Sequence, residues 1–362
     1  MRRLLWISLT VVALIALYFT LAPIPIAPRA YEAPPNRGYS GPFARNSRLS
    51  ALTRIDLGGG AGPEDGAVDA QGHVHFGLRD GVIVRVDPIT FRTTRWADTS
   101  GVPLGLEFDA HGTLWVADAY RGLVSIAKDG AVTVRATTAG GVPIRYADDV
   151  AISRDGVVYF SDASTKFGAQ ASGGTLPASF LDLMEHVPHG RVLRYDPRTG
   201  QTAVVRRGLY FANGVALSAD ESTLLVAETA MNRVLALRLR GPRAGALDVL
   251  IDALPGFPDN IDAGADGRFW VGLVAPRSRE LDALAGSPGT RAFIQRLPAA
   301  LRPKETAYSH VFAIDAEGRV LHDLQDPSAA FTHTTGAIES AGTLFVTSLT
   351  EPALAHMPWP AR

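Results

Sequence analysis

Hydrophobic positions along most of the chain form short runs with β-type alternation, separated by glycine-rich turns. One run, such as residues 150–152, leads to a turn and then to a second run, such as residues 157–160; a third follows, and in most repeats a fourth. Six such groups succeed one another between residues 47 and 362. Four antiparallel strands repeated six times predict an all-β fold, a six-bladed β-propeller with four-stranded blades. The linkers are turns, which argues against a parallel α/β fold.

The sixth repeat ends with the chain and lacks an outer strand. Residues 50–55, near the start of the predicted propeller, carry a strand-like run that can supply it. We therefore expect the N-terminal strand to close the ring.

Each repeat opens with a small four-residue hinge before its first strand. The six hinges are residues 63–66, 103–106, 147–150, 212–215, 258–261 and 334–337. Their second positions hold Glu64, Leu104, Asp148, Asn213, Asp259 and Thr335. In a propeller the innermost strands surround one axis, so equivalent hinge positions converge on one face of the ring. Three carboxylates and an amide would then meet near one point.

That set of donors predicts a calcium site formed by Glu64, Asp148, Asn213 and Asp259. Calcium takes six to eight oxygen ligands, and the absence of histidine and cysteine from the set disfavours zinc. The alternative is that Asp and Asn merely suit the turns that start strands. Asp149 and Asn260, one residue further on, are additional ligands, groups that support the ligands, or turn residues.

Two long insertions, residues 163–189 and 275–308, fall between the second and third strands of blades three and five. That connection returns to the face of the ring on which the hinges lie, the hinge face. Both insertions are therefore expected to cover the hinge face as lids. His186 and His189 lie at the end of the first lid, and His333 stands two residues before Thr335 of the sixth hinge. Each of the three is a candidate base at the mouth of the axial tunnel.

The N-terminus has a different composition. Residues 1–22 begin with two arginines and continue with nineteen uncharged, mainly apolar residues, enough to span a bilayer as a helix. This pattern predicts a signal anchor whose arginines stay cytoplasmic, with the propeller on the extracytoplasmic side, periplasmic or lumenal. A cleaved signal peptide is the competing interpretation. Residues 23–46, rich in Pro, Arg and Ser, are predicted to form an extended tether.

Composition narrows the possible functions. The 362-residue chain has a formal net charge of −1 and a pI of about 6.8, so no basic field favours a nucleic-acid partner. It contains no cysteine, which excludes disulfides and thiolate chemistry. Neither Gly-x-Ser-x-Gly nor His-Glu-x-x-His occurs, so the motifs of serine hydrolases and zinc proteases are absent.

Several short sequence segments, and their order along the chain, resemble the strictosidine synthase-like family of six-bladed propellers. They lie at residues 62–64, 114–123, 158–164, 226–229 and 255–261. The match is nearest to the adipocyte plasma membrane-associated protein type, and paraoxonases and gluconolactonases of the senescence marker protein-30 type are more distant relatives. The resemblance implies a calcium-dependent hydrolase of lactones or aryl esters. It maps the metal ligands onto the same four hinge residues, with Asp259 activating water or attacking directly, as in the gluconolactonases.

Three departures from the pattern refine this expectation. Asp148 stands where relatives usually carry Asn, and its extra charge is expected to tighten cation binding and weaken the metal as a Lewis acid. The paraoxonase histidine pair, expected near Leu104 and Asp118 or Ala119, is missing. The catalytic glutamate of strictosidine synthase would fall at or beside Thr335, where this chain has no carboxylate. Its absence argues against alkaloid condensation. The alternative function is a calcium-stabilised, membrane-tethered binding scaffold that catalyses nothing.

Overall fold

The structure is a computed structural model that describes residues 2–359. Within that range the chain forms six four-stranded antiparallel sheets. The innermost strands contact one another in cyclic order, so the sheets are the blades of a closed ring. The six-bladed propeller predicted from the hydrophobic pattern is confirmed.

The strands run as follows in chain order. Strand β1 (Thr53–Asp56) precedes blade 1, which contains β2 (Gly66–Val68), β3 (Val74–Gly77), β4 (Val82–Val86) and β5 (Thr93–Asp98). Blade 2 contains β6 (Pro103–Phe108), β7 (Leu114–Asp118), β8 (Gly122–Ile126) and β9 (Val132–Ala136), and a two-stranded hairpin follows with β10 (Thr138–Ala139) and β11 (Val142–Pro143). Blade 3 contains β12 (Ala147–Ile152), β13 (Val158–Asp162), β14 (Gly190–Asp196) and β15 (Gln201–Leu209). Blade 4 contains β16 (Ala212–Leu217), β17 (Thr223–Glu228), β18 (Arg233–Arg238) and β19 (Leu247–Ile251). Blade 5 contains β20 (Gly256–Ala263), β21 (Phe269–Pro276), β22 (Ser309–Ile314) and β23 (Val320–Asp326). Blade 6 contains β24 (Thr334–Ser340), β25 (Thr343–Ser348) and β26 (Ala353–Pro358).

The turn between the first two strands explains the recurrent glycine of the repeat. In blade 1, Asp69 Oδ1 accepts hydrogen bonds from the backbone N–H groups of Gln71 and His73, both at 2.9 Å. Gly72 lies in this turn with φ of +86°, a left-handed conformation that glycine adopts without steric cost. Asp109 and Gly112 repeat the arrangement in blade 2. The turn chemistry therefore fixes the spacing that identifies the repeat.

The ring is closed by a strand from the N-terminal side, as the sequence predicts. Strand β1 pairs antiparallel with β26, from Thr53 opposite His356 to Asp56 opposite Ala353. The strand begins at Thr53, slightly later than the run at residues 50–55. Ile55 is buried there against blades 1 and 6. Closure thus joins a long-range strand pair to the core.

Both insertions follow the second strand of their blades. The first occupies residues 163–189 and contains helix α2 (Thr175–Glu185). The second begins after Pro276, at residue 277 rather than 275, and contains α3 (Arg279–Ala283) and α4 (Pro288–Arg296). Helices α2 and α4 contact each other. The two insertions therefore meet over the hinge face, the side of the ring on which the innermost strands begin.

The N-terminal segment forms helix α1 (Arg2–Leu21), which is apolar and long enough to cross a membrane. Residues 23–46 are extended apart from a short 3₁₀ turn at Gly41–Phe43. They do not form a free tether, however, because their backbone is hydrogen-bonded to both insertions. Ala27 donates its N–H to Glu185 Oε2 at 2.7 Å, and Tyr31 donates its N–H to the carbonyl of Ala285 at 3.1 Å. This segment is part of the covering of the hinge face.

Replacing Ile55 in β1 tests the role of ring closure. We expect Ile55→Ala to lower the free energy of unfolding by about 3 kcal/mol, because it opens a cavity between the first and last blades. Urea unfolding of the full-length protein in detergent, followed by tryptophan fluorescence, measures the change. Thr53→Ala, at an exposed position of the same strand, should alter it by less than about 0.5 kcal/mol. Equal effects of the two substitutions would contradict the closure described here.

Candidate functional site

Backbone irregularities position the hinge residues. In blades 2–6 the register between the first and second strands shifts at the hinge. The shifts lie between Pro103 and Gly105, Ala147 and Val150, Ala212 and Val215, Pro258 and Ile261, and Thr334 and Ala337. In blade 1, Glu64 lies just before β2. Such bulges redirect side chains and are common next to active sites. The second hinge position is therefore released from the regular alternation of its strand.

The four predicted ligands, which we call the hinge cluster, are Glu64, Asp148, Asn213 and Asp259. All four are buried, with no more than 5 % of their surface exposed. Burial, and then the charge of Asp259, raise the pKa of Glu64 well above its usual value. Burial raises the pKa of Asp148 in the same way, with further contributions from Glu64 and Asp259. The side chain of Asn213 is hydrogen-bonded to Asp259. The structure thus brings the four residues together.

Several oxygen atoms of this cluster lack a partner. Among residues 2–359, nothing hydrogen-bonds to Glu64 Oε2, Asp148 Oδ2 or Asn213 Oδ1, although all three atoms are buried. Unpaired buried oxygens are costly, and a hard cation would satisfy them. In the same range, no group of three or more His, Cys, Asp or Glu side chains is arranged so that it could hold a metal ion as the side chains stand. The donor chemistry fits calcium, while the ligand assignment itself stays a prediction.

Asp149 and Asn260 make contacts between blades. Asp149 Oδ2 accepts the backbone N–H of Val215 in blade 4 at 2.7 Å. Asn260 Nδ2 donates to the carbonyl of Glu64 at 2.9 Å. Both side chains therefore hold the backbone around the hinge cluster in place, which is the supporting role among those considered from the sequence.

Asp149 belongs to a ring of acidic residues that the sequence analysis otherwise missed. Each accepts a backbone N–H from the innermost strand of the next blade around the ring. The pairs are Asp65 with Leu106, Glu107 with Ile152, Asp149 with Val215, and Asp262 with Ala337. We call these four residues the inner acids. Burial raises the pKa of Glu107 to about 8 and that of the other three well above normal. Asp65 and Asp149 stand at the third hinge position, and Glu107 and Asp262 are the first residues after their hinges, two positions further along. This period-2 placement was the available signal.

An apolar layer, which we call the roof, covers the hinge cluster. It includes Leu104, Tyr146, Phe167 and Phe211, together with Ile26 from the N-terminal segment. The rings of Tyr146 and Phe211 meet edge to face, with centroids 5.3 Å apart. Burial, followed by the charges of Asp148, Glu64 and Asp259, raises the pKa of Tyr146. Tyr146, not singled out from the sequence, thus lies where the roof meets the hinge cluster.

The three candidate histidines have different surroundings. Burial raises the pKa of Asp259 to about 7, and His333 lies near enough to oppose that rise. Its ring nitrogens face Thr350 Oγ1 at 2.9 Å and Glu305 Oε1 at 3.3 Å. His186 stacks on Tyr31 with centroids 3.4 Å apart, and burial lowers its pKa to about 4. His189 Nε2 contacts Glu185 Oε1 at 2.7 Å. Of the three, His333 is the one that interacts electrostatically with the hinge cluster, through Asp259.

Solved structures with similar folds define the class of protein. A gluconolactonase from Xanthomonas campestris is similar with a TM-score of 0.62 and 18 % sequence identity, covering 94 % of this chain and 99 % of that chain. A calcium-binding protein, regucalcin from Agrobacterium tumefaciens, is similar with a TM-score of 0.57 and 16 % identity, covering 84 % and 90 %. At these identities the likeness concerns the fold. The chain shares the propeller fold of these two proteins.

Sequence comparison identifies the family. Residues 148–241 match the family model of strictosidine synthase, and residues 41–86 match that of the strictosidine synthase-like N-terminal region. Strictosidine synthase-like protein 13 of Arabidopsis thaliana is 31 % identical over 88 % of this chain and 88 % of its own length. The adipocyte plasma membrane-associated protein of Bos taurus is 31 % identical over 96 % of this chain and 88 % of its own length. The chain belongs to the strictosidine synthase-like family. This confirms the resemblance inferred from its short sequence segments.

Calcium binding should depend on pH if the hinge cluster is the metal site. Because burial raises the pKa of Asp259 to about 7 and raises those of Glu64 and Asp148, calcium must displace protons in mildly acidic solution. We expect the affinity to rise from pH 6 to pH 8, by about tenfold per pH unit for each proton released. Isothermal titration calorimetry on the chelator-treated, full-length protein measures it.

Two variants control this measurement. Asp148→Asn removes one carboxylate and should weaken binding and flatten its pH dependence. Asp252→Asn, an exposed position before blade 5, should bind calcium as the parent does. Equal affinity at pH 6 and pH 8 would show that the hinge carboxylates do not hold the ion.

Proposed function

We propose that this protein is a membrane-anchored, calcium-dependent hydrolase of lactones or aryl esters. The observation that carries the proposal is the hinge cluster, in which neighbouring buried carboxylates with unpaired oxygens lie beneath an apolar roof. A substrate with an apolar body and a reactive carbonyl matches this combination. The gluconolactonase and the calcium-binding protein of similar fold support the same choice of reaction and metal.

In this proposal Glu64, Asp148, Asn213 and Asp259 hold calcium. When bound, the ion supplies a Lewis acid for a substrate carbonyl and charge stabilisation for the developing oxyanion. Asp259 takes the proton from the attacking water or attacks the carbonyl directly. Calcium beside it would keep Asp259 ionised, as a base must be, and the side chain of Asn213, which is hydrogen-bonded to Asp259, orients it.

The roof contributes binding and exclusion of water. Leu104 is 1 % exposed and packs with Tyr146 and Phe211 above the hinge cluster. Apolar walls around a few polar groups are typical of sites for small molecules, and a broad polar rim would instead suit a protein partner. This composition favours an enzyme over a binding scaffold. Thr335 brings no carboxylate to the sixth hinge, which disfavours strictosidine condensation.

Location completes the proposal. Helix α1 is apolar over Arg3–Leu21, and the similar bovine relative is named for its association with the plasma membrane. With Arg2 and Arg3 preceding the apolar run, the positive-inside rule puts the propeller on the extracytoplasmic side. The partners are thus a small lactone or ester and the membrane, with no nucleic acid.

A panel of lactones and aryl esters tests the activity of the full-length protein, with and without a calcium chelator. We expect turnover of at least one substrate, lost on chelation and restored by calcium. Asp259→Asn should lower kcat by at least about 100-fold, because it removes the base. The matched change Asp252→Asn, in an exposed loop, should leave kcat unchanged.

Two outcomes would contradict the proposal. Full activity of Asp259→Asn would show that another group is the base. Calcium binding without turnover of any substrate in the panel would favour the non-catalytic scaffold.

A further inference from the structure

The end of helix α1 is attached to the second insertion. The hydroxyl of Tyr18 donates to the carbonyl of Arg296 at 3.0 Å, and Arg296 Nε donates to the carbonyl of Ala22 at 2.9 Å. The rings of Phe19 and Phe293 pack with centroids 4.6 Å apart. The last turn of α1 therefore lies directly beside the C-terminal half of α4.

The segment that follows α1 is held by hydrogen bonds to both insertions. The N–H of Ala27 is bonded to the side chain of Glu185 in the first insertion at 2.7 Å, and the N–H of Arg29 to the carbonyl of the same residue at 3.1 Å. Arg291 in α4 donates to the carbonyl of Arg29. Ile26, between these contacts and α1, is 5 % exposed and belongs to the roof. A helix that ends in this segment cannot move away from the hinge face without breaking these contacts.

The insertions also expose large apolar side chains. Phe180 on α2 is 42 % exposed, Phe293 on α4 is 43 % exposed, and Leu301 just after α4 is 67 % exposed. Leu301 is followed by Arg302 and, two residues later, by Lys304. Single exposed apolar residues are ordinary, but apolar residues with neighbouring cations suit the interface of a bilayer. Phe293 packs on Phe19 at the end of α1, and α2, which carries Phe180, contacts α4. An apolar helix next to these insertions supplies a reason for the exposure of their apolar side chains.

We propose that the hinge face lies against the bilayer that α1 enters, with Phe180, Phe293 and Leu301 in the lipid interface. The occupant of this surface is the lipid itself. The helix spans about 30 Å, so its last turn lies at the edge of the hydrocarbon core, at the level of α4. The covering of the hinge cluster then faces lipid, and the opposite face of the propeller faces water. This inference rests on the anchoring role proposed for α1.

The absence of cysteine from the chain allows a direct test. Single substitutions Phe180→Cys, Phe293→Cys and Leu301→Cys are labelled with an environment-sensitive fluorophore in the full-length protein, reconstituted in phosphatidylcholine vesicles with phosphatidylglycerol. Ile89→Cys is the control, because Ile89 is 78 % exposed in the turn between β4 and β5, on the opposite face. We expect blue-shifted emission and quenching by nitroxide-labelled lipids at the three insertion positions, at least threefold stronger than at position 89.

The outcomes separate this inference from the function on which it rests. Quenching at the insertion positions no stronger than at position 89, in protein that resists alkaline extraction, would overturn docking of the hinge face and leave the anchor intact. Extraction of the protein by alkali would overturn both the anchor and the docking. Leu301 is the most exposed of the three positions, so its substitution keeps the test valid if Phe293→Cys disturbs the contact with Phe19.

Discussion

Burial of carboxylates around the propeller axis is the constraint on which the rest of this structure depends. An ionised carboxylate away from water is costly unless hydrogen bonds or opposite charges compensate it. The inner acids are compensated by backbone N–H groups, each from the next blade around the ring. Asp65, for example, accepts the N–H of Leu106 at 2.7 Å. The same bonds that lower the cost of burial therefore hold neighbouring blades in register.

The hinge cluster is compensated differently. Glu64 and Asp148 each retain an oxygen without a partner in the described part of the chain, and the charges of the cluster raise one another's pKa. The backbone of Glu64 is nevertheless held firmly, because its carbonyl accepts from both Asn260 and Thr335. Two inner acids, Asp65 and Asp262, also retain an unpaired oxygen, but all four inner acids accept a backbone N–H from a neighbouring blade. The inner acids therefore join the blades, while the hinge cluster at the starts of the strands is the part suited to binding. Fixed backbone with unpaired side-chain oxygens is the preorganisation that a cation site requires.

The features that recur in every blade could be predicted from the sequence, and the contacts made by individual residues could not. Period, strand pattern and turn glycines follow from local chemistry, so the six blades, the closing strand and the positions of the hinge residues could be inferred. Of the inner acids, Asp65, Glu107 and Asp262 were missed, because the four do not share one position of the repeat: Asp65 and Asp149 stand third in the hinge, and Glu107 and Asp262 follow it. Residues 23–46 were predicted to be a tether because their composition resembles a linker. Their partners, Glu185 and Arg291, lie more than 150 residues away, and no local pattern reveals such contacts.

The two hinges whose second residue is neither charged nor an amide, those of Leu104 and Thr335, make the site polar on one side and apolar on the other. Thr335 turns its hydroxyl to the carbonyl of Glu64, so blade 6 supports the cluster from below the roof. Leu104 instead joins the apolar roof, beside Tyr146. On the proposed function, the reacting carbonyl would meet the oxygens of blades 1, 3, 4 and 5, while the apolar part of the substrate would lie toward blade 2. Leu104 occupies the hinge position that carries a carboxylate or an amide in those four blades. On the same proposal, this one apolar residue makes the ring of oxygen donors asymmetric, so that the site can orient a substrate.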